Sequence, residues 1–316
     1  MYEYEYKTLE ELSHRAVQHD IRIAEVVIRH EMETSEQTET AVRQCMASRL
    51  EVFRESIEAG LSDTGTSVSG LVGGDADKLA HSSGRLLGSL ARKAEIYALA
   101  VSEANAKMFK IVACPTAGSC GIVPAVLTAV SEELGTSPQE NVEALFTAAG
   151  IGAVVARNAS VAGAVGGCQA ECGTAAAMAA AAAAQLAGGS DDAVLQAMAL
   201  CMKNTLGLAC DPVAGLVEVP CVKRNACLAV MAVGAAEMAL AGIRSVIPPD
   251  EVISAMAEIG RMMPVALKET SDGGLARTGT GKAVARRLEK EMKETLYKEF
   301  FMDCGENCPV TTTSSN

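Results

Sequence analysis

Between Thr174 and Ala187 the chain reads "TAAAMAAAAAAQLA", and this run constrains the fold more than any other segment. Alanine has the highest helix propensity of any residue, and no charged side chain interrupts the stretch from Ala175 to Ala187. A helix that is apolar on every face belongs inside protein, and this one is too short and too weakly apolar to span a bilayer. The run therefore predicts a central helix on which others pack closely. Alanine offers no chemistry, so the "GGCQAECG" that leads into it, with two cysteines and a glutamate, needs a separate explanation.

The surrounding pattern is also helical. Residues 9–32 and 38–61 place apolar side chains among charges at spacings of three to five, which predicts two amphipathic helices joined near "TSEQ". Residues 62–84, "SDTGTSVSGLVGGDADKLAHSSG", are rich in Gly, Ser and Asp and read as a long loop of the kind kept for function. From Arg85 onward, helical stretches are broken by Gly and Pro near 114–124, 163–173, 207–221 and 271–281, with a helix expected to start at Ile122. Leu195–Leu208 and Asn225–Ala241 are apolar on most sides and read as further central helices. The expected fold class is mainly α, a multi-helix bundle with buried Ala-rich central helices and Gly/Pro-rich active-site loops. The expected organisation is one all-helical catalytic domain over residues 1–300, with 1–60 as an N-terminal helical segment and 301–316 as a cysteine-containing tail.

Charge and composition narrow the function. A net charge of -12 opposes nucleic acid as the main partner, because phosphate binding needs clustered Lys and Arg. The absence of Trp and the five residues each of Phe and Tyr leave little for stacking bases. No membrane span is expected. The charged stretch after Met1 does not read as a signal peptide, so the eleven cysteines are expected to be free, catalytic or metal-bound in a reducing cytoplasm.

Familiar nucleotide motifs fail on inspection. In "GGLARTGTGKAVARR" a phosphate loop would need Gly at the position of Ala276 and Ser or Thr at that of Ala283, and a dinucleotide fingerprint would need Gly in place of Val284. A histidine-centred hydrolase or zinc enzyme is equally hard to build, because His14, His19, His30 and His81 all lie in the N-terminal part of the chain.

The cysteines share a setting. Cys168, Cys210 and Cys221 each sit in a Gly- or Pro-bearing break beside an apolar helix, and Cys114 and Cys120 flank "PTAGS". Such breaks gather backbone N–H groups and helix ends, where thiolates are stabilised and an anionic cluster can accept hydrogen bonds. Iron-sulfur binding fits this pattern. Zinc stays open on spacing alone, with Cys168/Cys172 and Cys304/Cys308 as the close pairs, while Cys45, Cys201 and Cys227 lie in helical runs and read as packing residues.

Six segments then carry a resemblance: "SGLVGGDADKL" (69–79), "SEANAKM" (102–108), "CPTAGSCGIVPAVL" (114–127), "GGCQAECG" (166–173), "CDPVAGLVEVPCVKRNA" (210–226) and "MPVALKETSDGGLARTGTGKA" (263–283). With them, and with 41 residues between Cys168 and Cys210 and 10 between Cys210 and Cys221, the chain resembles the alpha chain of bacterial iron-sulfur-dependent L-serine dehydratase, or L-serine ammonia-lyase. The resemblance implies a [4Fe-4S] cluster held by Cys168, Cys210 and Cys221 with one iron open as a Lewis acid for the serine hydroxyl. A base removes the Cα proton, and elimination leads to pyruvate and ammonia without pyridoxal phosphate.

Within that frame Thr116, Ser119 and nearby backbone N–H groups are candidates to hold a carboxylate or the cluster, or else form a tight helix-entry turn. Asn105 is a candidate to bind substrate and Lys268 to neutralise substrate or cluster charge, the alternative for both being buried, satisfied polar groups. Cys304 or Cys308 is a candidate to occupy the open iron, as a tail cysteine does in some relatives. Single-chain members carry an extra domain with a Ser-His-Thr segment associated with substrate binding. The "SHR" at Ser13–Arg15 is not that segment in context, so the resemblance implies a separate beta chain as partner and a base supplied by it. Other β-substituted amino acids, cysteine or threonine, are alternative substrates. An iron-sulfur sensor or electron carrier is the non-enzymatic alternative.

Overall fold

The N-terminal helical run breaks at Asp20. In the computed structural model, which describes residues 2–84 and 86–301, α1 (Leu9–His19) ends where Asp20 takes up the left-handed conformation (φ 52°), and α2 (Ile23–Ser35) starts afresh. The cause is tertiary. Asp191 accepts from the Ile23 N–H at 3.1 Å and pairs with Arg22, while Asp250 accepts from the N–H groups of Leu9 and Glu10 at 2.9 Å each. The orphan donors of both helix starts are thus met by carboxylates remote in sequence, which also suit the positive end of a helix.

The third helix, α3 (Glu39–Ser62), is followed by a segment that corrects the expected loop, since α4 (Asp75–His81) forms inside it. Its start is capped by the fully buried Glu103, which accepts from Gly74 N–H at 3.0 Å and Asp75 N–H at 2.8 Å. Gly73, at φ 141°, leaves no room for a side chain, because a Cβ there would lie 2.2 Å from the Gly65 carbonyl oxygen.

The remaining helices are α5 (Ser89–Ala106), α6 (Ile122–Leu134), α7 (Pro138–Asn158), the four-residue α8 (Gly163–Gly166), α9 (Thr174–Leu186), α10 (Asp191–Lys203), α11 (Cys221–Leu240), α12 (Pro249–Met262) and α13 (Gly279–Phe301). The mainly α expectation holds, with no strand among the described residues and one isolated bridge between Cys210 and Lys268. No described helix is long and apolar enough to cross a membrane.

The alanine run is the centre of the bundle. Every residue of α9 from Thr174 to Ala184 is buried, and α6, α7, α10 and α11 pack around it. Methyl side chains let those neighbours approach closely, so the helix trades bulky apolar area for proximity. The helices expected around 195–208 and 225–241 correspond to α10 and α11, although α10 stops at Lys203 because the chain must turn toward Cys210.

Close approach recurs where α3 crosses α5: a Cβ on Gly60 would sit 1.9 Å from the Ala100 carbonyl oxygen, against backbone that cannot yield. Gly60→Ala is expected to destabilise the fold by about 1–3 kcal/mol despite the helix preference of alanine, seen as a fall of a few degrees in Tm. An unchanged Tm would show that the two helices do not meet there.

Candidate active site

The segment in front of α9 is built as a sharp entry. Gly167 has φ 76° and faces Met263, whose sulfur would lie 2.6 Å from a Cβ at that position. Cys168 follows, and the five residues Gln169–Gly173 form a π turn that runs directly into α9. Such turns recur at functional sites because they redirect side chains that a regular helix would stack. Gln169 locks the turn in place: fully buried, it donates to the Met256 carbonyl at 3.1 Å and accepts from Gly207 N–H at 2.8 Å. One donor atom each from Cys168, Glu171 and Cys172 falls within 4.8 Å of the others, all buried.

Cys210 arrives from a different direction. Its N–H donates to the Leu267 carbonyl at 2.9 Å and its own carbonyl accepts from Glu269 N–H at 2.8 Å, so two irregular segments fix each other as a short parallel ladder. Next to it, buried Asp211 accepts from Leu275 N–H at 2.8 Å and from Arg224 at 3.3 Å. Cys221 opens α11, where the helix dipole is positive. One turn on, buried Asn225 accepts from Gly121 N–H at 3.0 Å and donates to the carbonyls of Gly118 (2.8 Å) and Cys221 (2.9 Å), which pins the turn before α6 to the start of α11.

The expected substrate residues divide. Thr116 lies in the site and its hydroxyl donates to Glu171 Oε1 at 2.5 Å. Ser119 is fully buried and its hydroxyl closes the Thr116–Ser119 capping box and donates to the Cys114 carbonyl at 3.2 Å, so its bonds are those of the helix-entry turn. Asn105, half-buried at the end of α5, donates to the Ala117 carbonyl at 3.2 Å. Lys268 meets Cys210 through the backbone bridge, and no side-chain bond of Lys268 is found among the described residues. Cys304 and Cys308 lie outside the described residues.

Glu171, to which the sequence motifs assign no role, sits at the centre. Gly118 must lack a side chain because a Cβ there would lie 2.5 Å from Glu171 Oε1. On the other side, a Cβ on Gly163 would lie 3.0 Å from Cys210 Sγ, 3.2 Å from Glu269 Oε2 and 3.3 Å from Glu171 Oε2. Asn225 and Arg224, also unassigned from sequence, complete the frame. The available signal for Glu171 was its place in the same short turn as Cys168.

The electrostatics of the thiols are uneven. A hydrogen bond from Cys172, opposed by burial and helped by the Arg224 guanidinium, holds the Cys168 thiol below its ordinary range. The bond to Cys168 and full burial push Cys172 well up. Burial, then the charges of Cys168 and Glu171, pushes Cys221 up to about 12 and Cys210 higher still. Burial and the charge of Glu269 raise Glu171. Cys172, Cys210 and Cys221 thus resist ionisation while Cys168 favours it, and together these sulfurs form a donor set that a cationic centre would stabilise; soft sulfur ligands suit iron-sulfur clusters or zinc.

The fold and this site define a helical protein with a buried cluster of thiols at the entry of its central helix. Over residues 18–276 the chain matches the family described as "Serine dehydratase alpha chain", and it belongs to that family. It is 49% identical over 290 residues, covering 91% of this chain and 95% of the relative, to the "Probable L-serine dehydratase, alpha chain" of Bacillus subtilis. With the "L-serine dehydratase, alpha chain" of Peptoniphilus asaccharolyticus it shares 40% identity over 274 residues, 86% of this chain and 94% of that one. "L-serine dehydratase 1" of Escherichia coli is 47% identical over 183 residues, 57% of this chain and 40% of that longer protein.

Proposed function

We propose that this chain is the catalytic subunit of an L-serine dehydratase, a lyase that removes water from L-serine and releases pyruvate and ammonia. The observation that supports the reading is that buried Cys168, Cys210 and Cys221, from three separate segments, are near enough for the charge of Cys168 to raise the other two thiols, in a member of this family. We assign those three cysteines to a 4Fe-4S cluster that keeps one iron free of protein ligands. When bound, the cluster supplies Lewis acidity toward the leaving hydroxyl group.

The chain's own residues then do the following. Arg224, held by the Ala209 carbonyl and Asp211, offsets negative charge beside Cys168. The positive end of α11 does the same at Cys221. Thr116 orients Glu171, Gly118 lets the carboxylate approach the turn before α6, and Gly163 leaves a gap beside Oε2. Burial of the site lowers the local dielectric and strengthens each of these interactions.

The relatives named alpha chains support a beta chain as partner. We assign the base for the Cα proton to that chain, because the four histidines lie on α1, α2 and α4 and not in the segments that meet at the thiols. The test is anaerobic co-expression of the two chains followed by an assay of pyruvate and ammonia from L-serine. Equal amounts of both products from the pair, and none from either chain alone, are expected. No pyruvate from the cluster-loaded pair would overturn the reading.

A further inference from the structure

Two carboxylates at the site, buried Glu171 and exposed Glu269, form no ion pair among the described residues. Glu171 is 8% exposed, its Oε1 is occupied by the Thr116 hydroxyl, and Oε2 receives no hydrogen bond among the described residues. Glu269 makes no side-chain hydrogen bond or ion pair among them either, yet its backbone is firmly placed. Its N–H is bonded to the Cys210 carbonyl at 2.8 Å, its φ is held at 65°, and two residues later Ser271, at φ 59°, donates to the Pro212 carbonyl at 2.6 Å. Residues other than glycine hold such conformations only where the surroundings fix them, and they cluster at functional sites. Both Oε2 atoms lie around the position that a Gly163 side chain would fill, next to Cys210 Sγ. Arg224, the nearby cation, is already engaged by Ala209 and Asp211.

We propose that Glu171 and Glu269 together bind the α-ammonium group of the amino-acid substrate, Glu171 from the buried side and Glu269 from the loop paired with Cys210. The inference rests on the dehydratase reading and adds a specificity element to it. Charge complementarity is the physical basis: the carboxylates of buried Glu171 and solvent-exposed Glu269 face one gap and repel each other until a cation lies between them, and a primary ammonium offers three N–H donors to share. Gly163 is then small for a reason, since any side chain would occupy the gap between the two oxygens. A ligand with the same carbon skeleton but a hydroxyl in place of the ammonium lacks the charge and two of the three donors, so the pair selects amino acids over hydroxy acids.

The experiment compares L-serine with L-glycerate, which differs from it in that one group, using the cluster-loaded enzyme with its partner chain. Turnover of L-serine, competitive inhibition by L-glycerate, and iron and sulfide content are measured for the wild type, Glu269→Gln and Glu171→Gln. Both substitutions are isosteric, and the second retains an acceptor for Thr116. The expected result is a rise of about 10- to 100-fold in KM for L-serine in each variant, the range for loss of a charge-assisted hydrogen bond, with a smaller change in kcat. Inhibition by L-glycerate and iron content stay as in the wild type. An active wild type whose preference for L-serine over L-glycerate survives both substitutions overturns the ammonium assignment alone. Equal weakening of both ligands, or loss of iron, overturns it too, because the pair then shapes the pocket or holds the cluster. A loaded wild type that turns over no L-serine overturns the dehydratase reading and this one with it.

Discussion

Cys168→Ser, Cys210→Ser and Cys221→Ser are each expected to lose the cluster and to reduce pyruvate formation to background, while the far-ultraviolet circular dichroism of the helical fold is kept. A serine hydroxyl is a hard, weakly acidic donor and a poor substitute for a thiolate on iron. The substitution also changes little volume, so the helices around each position keep their packing. Cys168 begins the π turn before α9, Cys210 is clamped by Leu267 and Glu269, and Cys221 starts α11, so no neighbouring sulfur on the same segment can replace Cys210 or Cys221 without moving the backbone. Cys201→Ala is the matched control: that thiol is fully buried in α10, away from the converging segments, and the variant is expected to keep iron and turnover. Iron analysis of the four purified variants decides the matter, and an intact cluster in any of the first three would remove that cysteine from the ligand set.

Arg224→Met carries the second large effect. The guanidinium donates to the Ala209 carbonyl at 2.8 Å and to Asp211 at 3.3 Å, and the side chains of the pair are only 16% and 8% exposed. Removing the cation leaves a buried carboxylate with the Leu275 N–H as its remaining donor and leaves the Ala209 carbonyl without this partner. Breaking one side of a buried pair costs about 3–5 kcal/mol, so the urea midpoint of the variant is expected to fall well below that of the wild type. The same substitution removes positive charge beside Cys168, so iron is expected to leave the loaded variant faster under a chelator. Arg224→Lys should restore the charge and only part of the stability, because an ammonium cannot serve both acceptors with the same planar fork. An unfolding midpoint equal to that of the wild type in Arg224→Met would mean that Asp211 does not depend on the pair.

These two sites also show which parts of the molecule were legible in the sequence. The central helix was, because a run with no polar face has one stable environment, and α6, α10 and α11 follow from the same apolar composition. The break at Asp20 and the helix inside the Gly-rich segment were not. Their N–H groups are capped by Asp191 and Glu103, and a cap supplied from a distant segment leaves no local signal in the residues it ends or begins. Within the site, the segments bearing Cys168, Cys210 and Cys221 stood out through their Gly and Pro breaks and the family resemblance. Glu171 did not, since its surroundings are the Thr116 hydroxyl, the backbone at Gly118 against which it packs and the gap at Gly163, all set by tertiary contact. Ser119 reversed the usual reading of a polar residue in a matched motif: its hydroxyl bonds belong to the turn before α6.

The measurement that bears most directly on the central claim is the content of iron and acid-labile sulfide in the anaerobically purified chain, taken with its ability to form pyruvate from L-serine alongside the beta chain. The assignment of Cys168, Cys210 and Cys221 to a 4Fe-4S cluster predicts about four iron and about four sulfide per chain, and turnover that is lost when the cluster is stripped and returns when it is rebuilt. One zinc per chain without sulfide, or turnover that survives complete removal of iron, would contradict it.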